Sequence, residues 1–430
     1  MCNKTIEERA LRVFPGGVNS PIRSLKGLRK FPLIIKKAYK DILVDSRGKF
    51  YIDYCASWGA LIHGHAHPKI TSIVKEVIEE GSSYGLTSEK EIIFGEFILE
   101  KMAKKNHKIR FMTSGTEATM TAVRLARGIT QRDIIIKFDG NYHGHSDVFL
   151  INSGSALAEN SLSYSKGVPQ ESIRNTLSIP FNDTAVLLET VRKYNEQIAA
   201  IIFEPLPANM GIILPKDDFL NSLIVESKKI GALLIADEVY TGFRLGFKGA
   251  GEVYNFDADI TIFGKIIGGG FPTAAIFAKE EIMNYLSPEG NVFQAGTLSG
   301  NPISMAAGLA CLKLCSEIGF YEALEEKTKY LLKPIEVFVK KHNLPLNIVQ
   351  QGSMFSFFFT EKKEVVNFYD VKECNHLQFK MFFNQLLDNG IYISPSQFEA
   401  SFLSSVHSWD HLDKTSQEII SALKKIFDFS

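Results

Sequence analysis

Two apolar runs, one ending in a pair of acids and the other in a lysine beside three glycines, constrain this chain more than any other feature. The first is GALLIADEVYTGFR (Gly231–Arg244), where Ala232–Ala236 runs into Asp237 and Glu238. The second is DITIFGKIIGGG (Asp259–Gly270), where Ile260–Phe263 leads to Lys265 and then Gly268–Gly270. Both have the length and flanks of buried strands. Ionisable groups at the ends of such strands mark the crevice where an open α/β sheet does its chemistry.

Further strands and helices follow the same logic. IIIKF (Ile134–Phe138) and AAIIF (Ala199–Phe203) are nearly continuous apolar runs, as parallel strands covered on both faces show. Pro215–Ile230 predicts a helix with Asp217 and Asp218 in its first turn and Gly231 after its end. Ile70, Ile73, Val74, Val77 and Ile78 predict another, stopped by Gly81, and a long helix is expected over Ile303–Glu317. Strand, helix, strand in this order implies right-handed crossovers and a mostly parallel sheet. The expected organisation is an arm with a short hairpin (Ile42–Val44, Phe50–Ile52) over residues 1–66, a large α/β domain over 67–316, and a smaller α+β domain over 317–430. In the last, Phe355–Phe359 reads as a strand closed by the charged Glu361–Glu364. Thr415–Glu418 reads as a capping box opening an amphipathic helix striped by Ile419, Ile420, Leu423, Ile426 and Phe427.

Lysine plus arginine balance aspartate plus glutamate at 48 each, which leaves no basic footprint for nucleic acid or a membrane surface. No apolar run nears the ~20 residues that span a bilayer. The start, MCNKTIEERALRVF, lacks an apolar signal core. Cys2, Cys55, Cys311, Cys315 and Cys374 are scattered, with Cys311 and Cys315 neighbours on one helix face. Reduced thiols in a cytoplasmic protein are expected.

An acid and a lysine at such strand ends suit pyridoxal 5′-phosphate (PLP), whose aldehyde takes a lysine amine and whose ring nitrogen needs a carboxylate to stay protonated. Lys265 lies close to the core, where desolvation lowers its pKa and makes the amine nucleophilic. Asp237 is the ring partner or an ordinary strand-end acid. Ser114-Gly115-Thr116-Glu117 precedes a predicted helix, Ala118–Arg127, stopped by Gly128; it reads as a phosphate cradle or a capped helix start. Tyr142, in NYHGH after IIIKF, stacks on a flat ring or fills core space. Gly296–Pro302 (GTLSGNP) is a second phosphate contact or a turn.

Taken together, the blocks resemble the class III aminotransferases of PLP fold type I, and within them the glutamate-1-semialdehyde aminomutase branch. The resemblance rests on FPGGVNSPIR (Phe14–Arg23), DYCASWGALIHGHAHP (Asp53–Pro68), MTSGTEATMTAVRLARG (Met112–Gly128), KFDGNYHGHSD (Lys137–Asp147), DEVYTGFR (Asp237–Arg244), GKIIGGGFP (Gly264–Pro272), FQAGTLSGNP (Phe293–Pro302) and PSQFEASF (Pro395–Phe402). General aminotransferases of the class continue the acid motif with Gly-Arg-Thr-Gly; GFRLGF stands here, the aminomutase form.

The resemblance implies a large domain with a mostly parallel seven-stranded sheet flanked by helices, a smaller C-terminal α+β domain and an N-terminal arm. It implies Lys265 as the cofactor-bearing lysine and proton shuttle, Asp237 on the pyridine nitrogen, and Val239 and Tyr142 on the two ring faces. Ser114, Gly115 and Thr116 would hold the phosphate, with Thr297 reaching it from the partner subunit of a homodimer. Glu204, Asn209, His143 and Gln294 would line the site, and Ser20, Arg23 and Trp58 would surround the substrate, Arg23 gripping its carboxylate. The implied reaction is an intramolecular amino exchange that turns (S)-glutamate 1-semialdehyde into 5-aminolevulinate for tetrapyrrole synthesis through 4,5-diaminopentanoate. The cofactor alternates between its pyridoxal and pyridoxamine forms. Glu399 stands where related aminotransferases carry an arginine for an α-carboxylate; an acid favours an amine-bearing intermediate and disfavours common α-amino acids.

Three places depart from the family pattern: the middle of the loop Ser153–Pro169, expected to close the site; His63, where an aliphatic residue is usual; and Leu206-Pro207-Ala208. The rival from another class is a metal-binding protein, since His63, His65 and His67 alternate along HGHAHP. Within PLP enzymes the alternatives are an ω-aminotransferase or an amino-acid racemase.

Overall fold

The computed structural model describes residues 5–152 and 165–428. Three strands open the chain: β1 (Ile35–Tyr39), β2 (Ile42–Asp45) and β3 (Phe50–Asp53), paired antiparallel in that order. Next come β4 (His107–Met112), β5 (Ile134–Phe138), β6 (Thr176–Ile179), β7 (Ile198–Phe203), β8 (Leu233–Glu238), β9 (Ile260–Phe263) and β10 (Ala274–Lys279). These seven form one sheet in the order β4-β10-β9-β8-β7-β5-β6. β10 runs antiparallel to β4 and β9, and every other neighbouring pair is parallel. The mostly parallel seven-stranded sheet is the expected one. β5 and β7 are buried along their whole length, which explains their unbroken apolar sequence.

Helices α1 (Pro68–Glu80), α2 (Gly115–Thr130), α3 (Asp217–Ile230) and α4 (Pro302–Cys315) belong to this central part. α1 ends at Gly81 and α3 at Gly231 (φ +67°), as their sequences predict. α2 departs from expectation at both ends: it starts three residues earlier and runs through Gly128. That glycine is a packing site, because a Cβ there would lie 2.7 Å from Val292. α4 is apolar on every face and buried along most of its length, as a core helix is.

A second sheet joins β11 (Leu346–Gln351), β12 (Met354–Phe359) and β14 (Ser401–Phe402). β13 (Ile391–Tyr392) instead lies parallel to β3, so C-terminal chain completes the N-terminal sheet. The last helix, α5 (Trp409–Ile426), corrects the capping-box reading. Its N-cap is Ser408, whose side chain accepts from the His411 N–H. Thr415 is fully buried in mid-helix, where its hydroxyl accepts from Tyr54 Oη at 2.9 Å. A Ser/Thr-x-x-Glu pattern inside a longer helix mimics a start when an earlier cap is overlooked. No single helix among the described residues is long and apolar enough to cross a membrane.

Candidate active site

Four neighbouring strands deliver their carboxyl ends to one edge of the large sheet. β5 leads to Asn141–His143 and β7 to Glu204; β8 ends in Asp237 and Glu238, and β9 leads to Lys265. Alternation along β8 sends its two acids to different tasks. Glu238 accepts from the N–H groups of Ala250 (2.6 Å) and Gly251 (3.1 Å) and from Thr241 Oγ1, so it organises a loop. Asp237 is buried and accepts from His143 Nδ1 at 2.7 Å and from the Val239 N–H at 3.1 Å. That carboxylate fixes the proton of His143 on Nδ1, and burial lowers the imidazole pKa, keeping it neutral. His143 Nε2 is itself buried with no hydrogen-bond partner among the described residues.

Glu204 accepts from the Tyr142 N–H (2.6 Å), the Ala208 N–H (3.1 Å) and Asn209 Nδ2 (3.0 Å). Burial, reinforced by the charge of Asp237, pushes its carboxyl up to about 8. Glu204 is therefore largely protonated at neutral pH, and its hydrogen bonds hold Tyr142 and Asn209 in place.

Lys265 opens a short 3₁₀ turn, Lys265–Gly268, with φ +51°. A left-handed conformation costs a residue with a Cβ about 1–2 kcal/mol, and such strain gathers at functional sites. Gly269, which ends the turn, backs onto α4 so closely that a Cβ would lie 2.4 Å from the Ala307 carbonyl oxygen. Lys265 Nζ sits 3.2 Å from the centroid of the Tyr240 ring, and Tyr240 Oη donates to Glu399 Oε2 at 3.3 Å. Desolvation lowers the lysine to about 8, although Asp237, Glu399 and Glu204 pull the other way. Tyr240 escaped the sequence reading; its position three residues past Asp237, on the same crevice edge, was the available signal.

The start of α2 makes a cradle. Ser114 is its N-cap and accepts from the Glu117 N–H, while Glu117 accepts from the N–H groups of Thr113 (2.7 Å) and Ser114 (2.9 Å). The N–H groups of Gly115 and Thr116 then head the helix, at its positive end. Gly144, with φ +83°, closes on this start: a Cβ there would lie 2.5 Å from Thr116 Oγ1 and 2.7 Å from Thr116 Cα. Val239 contacts the cradle, its Cγ2 3.4 Å from where a Gly115 Cβ would stand. An aldehyde-binding amine, a buried carboxylate, an orphaned imidazole nitrogen and a phosphate cradle fit a phosphorylated pyridine aldehyde such as PLP. Gly144→Ala is expected to cost the cradle about 1–3 kcal/mol, weakening cofactor retention roughly tenfold or more; equilibrium dialysis of the apo-protein with PLP measures it.

On the substrate side, Ala56, Ser57, Trp58 and Gly59 all have positive φ (47°, 53°, 59° and 79°), one strained left-handed turn that carries Trp58. Arg244 Nη2 pins it by donating to the Gly59 carbonyl at 2.7 Å. Ser20 precedes the short turn Pro21–Ser24, its carbonyl accepting from the N–H of the exposed Arg23 at 3.1 Å, and the Arg23 charge acts on Tyr392. Two predicted residues stand differently. Gln294 accepts from Arg110 of edge strand β4 at 3.1 Å, and Thr297 is exposed. No hydrogen bond joins either to the Lys265 cluster among the described residues. Residues 153–164, most of the loop expected to close the site, lie outside the described residues.

Comparison with known proteins gives a consistent picture. The chain matches the family described as Aminotransferase class-III over residues 25–427. It is 51% identical over 421 residues to a glutamate-1-semialdehyde 2,1-aminomutase of Protochlamydia amoebophila, covering 97% of this chain and 96% of that one. Among solved structures it resembles a transaminase with PLP bound (27% identity, TM-score 0.88, covering 98% of this chain and 97% of the other). It also resembles an omega-transaminase from Sphaerobacter thermophilus (28% identity, TM-score 0.89, with the same coverage). The acid, the lysine turn and the helix-start cradle thus sit in a scaffold whose family is identified by sequence over nearly its whole length: the chain belongs to the class III aminotransferases, in their glutamate-1-semialdehyde 2,1-aminomutase branch.

Proposed function

We propose that this protein is a PLP-dependent aminomutase that converts (S)-glutamate 1-semialdehyde to 5-aminolevulinate, feeding tetrapyrrole synthesis, and that it works in the cytoplasm as a homodimer. The observation that carries the reading is Glu399. It is buried, hydrogen-bonded to Tyr240, and its charge acts on Lys265. A carboxylate there repels the α-carboxylate of an ordinary amino acid and attracts an amine, which suits a substrate that has an aldehyde at that end.

Bound PLP supplies an electron sink for charge that develops at a carbon beside the amine. The residues do the rest. The Gly115 and Thr116 N–H groups and the Ser114 and Thr116 hydroxyls would hold its phosphate. Asp237, oriented by His143, would hold a proton at the ring nitrogen, with Val239 and Tyr142 to pack against the ring. Lys265 Nζ would serve both halves of the exchange, delivering a proton to the former aldehyde carbon in the first and removing one from the neighbouring amine-bearing carbon in the second. Arg23 and Ser20 orient the substrate carboxylate, and Trp58 walls the pocket. Gln294 and Thr297 act at the site of a second copy. Thr297 lies between Phe293 (69% exposed) and Leu298 (53% exposed), apolar surface that a partner subunit would cover.

The test is to add (S)-glutamate 1-semialdehyde to the purified holoenzyme with no amino donor and to measure 5-aminolevulinate. Product forming at enzyme-dependent rate supports the aminomutase. Amino transfer to a keto acid that requires an external amine replaces it with the ω-aminotransferase reading. Arg23→Ala is expected to raise KM by about tenfold to a hundredfold, the value of a charge-assisted hydrogen bond, with the cofactor spectrum unchanged. A shifted spectrum with unchanged KM would move Arg23 from the substrate to the cofactor.

A further inference from the structure

We propose that His63, Cys311 and Cys315 form a buried binding site for one zinc ion, behind the turn that carries Lys265. HGHAHP alone suggests three imidazoles on one side of an extended segment. The structure diverts His65, because Gly64 (φ +72°) and Ala66 (φ +50°) turn the chain, and leaves the His63 and His67 rings 5.6 Å apart. His65 goes to Asp53 Oδ2 at 2.7 Å, while His63 enters the core against α4. There it meets Cys311 and Cys315, 248 and 252 positions away in sequence, its Nε2 lying 3.1 Å from the Cys311 carbonyl oxygen. His63 Nε2 lies 3.3 Å from Cys315 Sγ, and the two sulfurs and an imidazole nitrogen all fall within 4.8 Å of one another.

These separations suit zinc. Bonds of about 2.3 Å to sulfur and about 2.1 Å to nitrogen in a tetrahedron hold the ligand atoms about 3.5–3.8 Å apart, so small side-chain rotations bring the three into place. Cys311 and Cys315 are one turn apart on α4, which presents both to the same point. The donor set is soft, two sulfurs and an imidazole, which excludes calcium and magnesium and favours zinc. Two thiolates and a neutral imidazole compensate a divalent charge, so binding adds no net charge to the core. Surrounding groups support the ligands. Ser405 Oγ lies 3.5 Å from His63 Nδ1 and orients the ring, which also packs on Phe320 with centroids 5.0 Å apart. Zinc displaces both thiol protons to solvent as the two Zn–S bonds form.

The site has no part in the chemistry at Lys265, but it braces that residue's support. A Cβ on Gly269 would stand 3.1 Å from the Cys311 Cβ, so α4 presses the Lys265 turn from behind at this residue. Zinc would tie His63, in the chain next to the Trp58 turn, to that helix.

The experiment expresses the full-length holoenzyme in zinc-supplemented medium, removes loose metal by gel filtration with a weak chelator, and measures zinc per chain by mass spectrometry. One zinc per chain is expected in wild type. Less than a tenth of that is expected in Cys311→Ser, Cys315→Ser and His63→Leu, the last restoring the aliphatic side chain usual in the family. Retained PLP absorbance in the variants reports that they fold. Cobalt exchanged into the wild type should give thiolate-to-metal and ligand-field bands that the variants lack. The zinc form should melt about 4 °C higher than its metal-free form at a thousandfold excess over Kd, a shift absent in His63→Leu. Wild type without retained metal, metal retained equally by the three variants, or a Cys311–Cys315 disulfide in the purified protein would each overturn the site.

Discussion

Lys265→Ala is expected to keep its cofactor yet lose turnover by at least about three orders of magnitude, because nucleophile and proton shuttle vanish together. Retention follows from the cradle at the start of α2 and from Asp237, which the substitution leaves in place. A second buried lysine makes the test sharp. Lys137, in β5, is fully buried and is likewise lowered to about 8 by desolvation. Its amine, however, donates to the carbonyls of Ile151 (2.9 Å) and Phe138 (3.3 Å), whereas Lys265 faces the Tyr240 ring. A borohydride-reduced adduct should therefore map to Lys265 alone, and one on Lys137 would reassign the site. The pH dependence has a definite sign. Only the neutral amine attacks an aldehyde, so capture of PLP by apo-protein should rise about tenfold per pH unit below about 8 and level off above it. Between about 8 and 10.5 the unfolded chain holds more protons on this lysine than the folded one. Apo-protein stability should thus rise with pH through that window, and Lys265→Ala should lose that part of the slope.

Much of this site is legible in the chain, because its parts lie at the ends of buried strands. A run such as Leu233–Ala236 has to be covered on both faces, so an acid just after it has few places to go but the carboxyl edge of the sheet. Gly81 and Gly231 end helices for a local reason, and local reasons are readable. The misses share the opposite character. Gly128 reads as a stop, but its role is set by Val292, far away in sequence. Thr415 reads as a cap, but Tyr54 fixes it inside a helix that starts at Ser408. β1 (IKKAY) is mostly exposed and polar, so no apolar period marks it. His63 and α4 illustrate the same limit: the alternation of HGHAHP is local, whereas the positive φ values at Gly64 and Ala66 that break it, and the cysteines that receive His63, are tertiary facts.

Asp237→Asn is expected to fold normally and to lose about two to three orders of magnitude in rate, with less effect on KM. The substitution preserves shape: the native carboxylate accepts from His143 Nδ1 at Oδ2 (2.7 Å) and from the Val239 N–H at Oδ1 (3.1 Å), and asparagine keeps the second bond with its single oxygen while its NH2 donates to His143 Nδ1 in the other imidazole tautomer. What it removes is negative charge in a buried setting. Nearby acids replace it poorly. Glu204 is pushed up to about 8 and is largely protonated at neutral pH, while Glu238 is pushed up to about 7 and spends its oxygens on Thr241, Ala250 and Gly251. With the carboxylate gone, the ring nitrogen loses its proton and the ring its capacity to accept electrons from the reacting carbon. The fall should therefore appear in kcat and in the substrate α-hydrogen isotope effect, since proton removal becomes more fully rate-limiting. PLP binding should change far less, because the cradle at Ser114–Thr116 and Lys265 remain. Unchanged kcat in Asp237→Asn would mean that another group holds the ring nitrogen. A matching loss in His143→Ala, with Asp237 intact, would show that the imidazole positions the carboxylate.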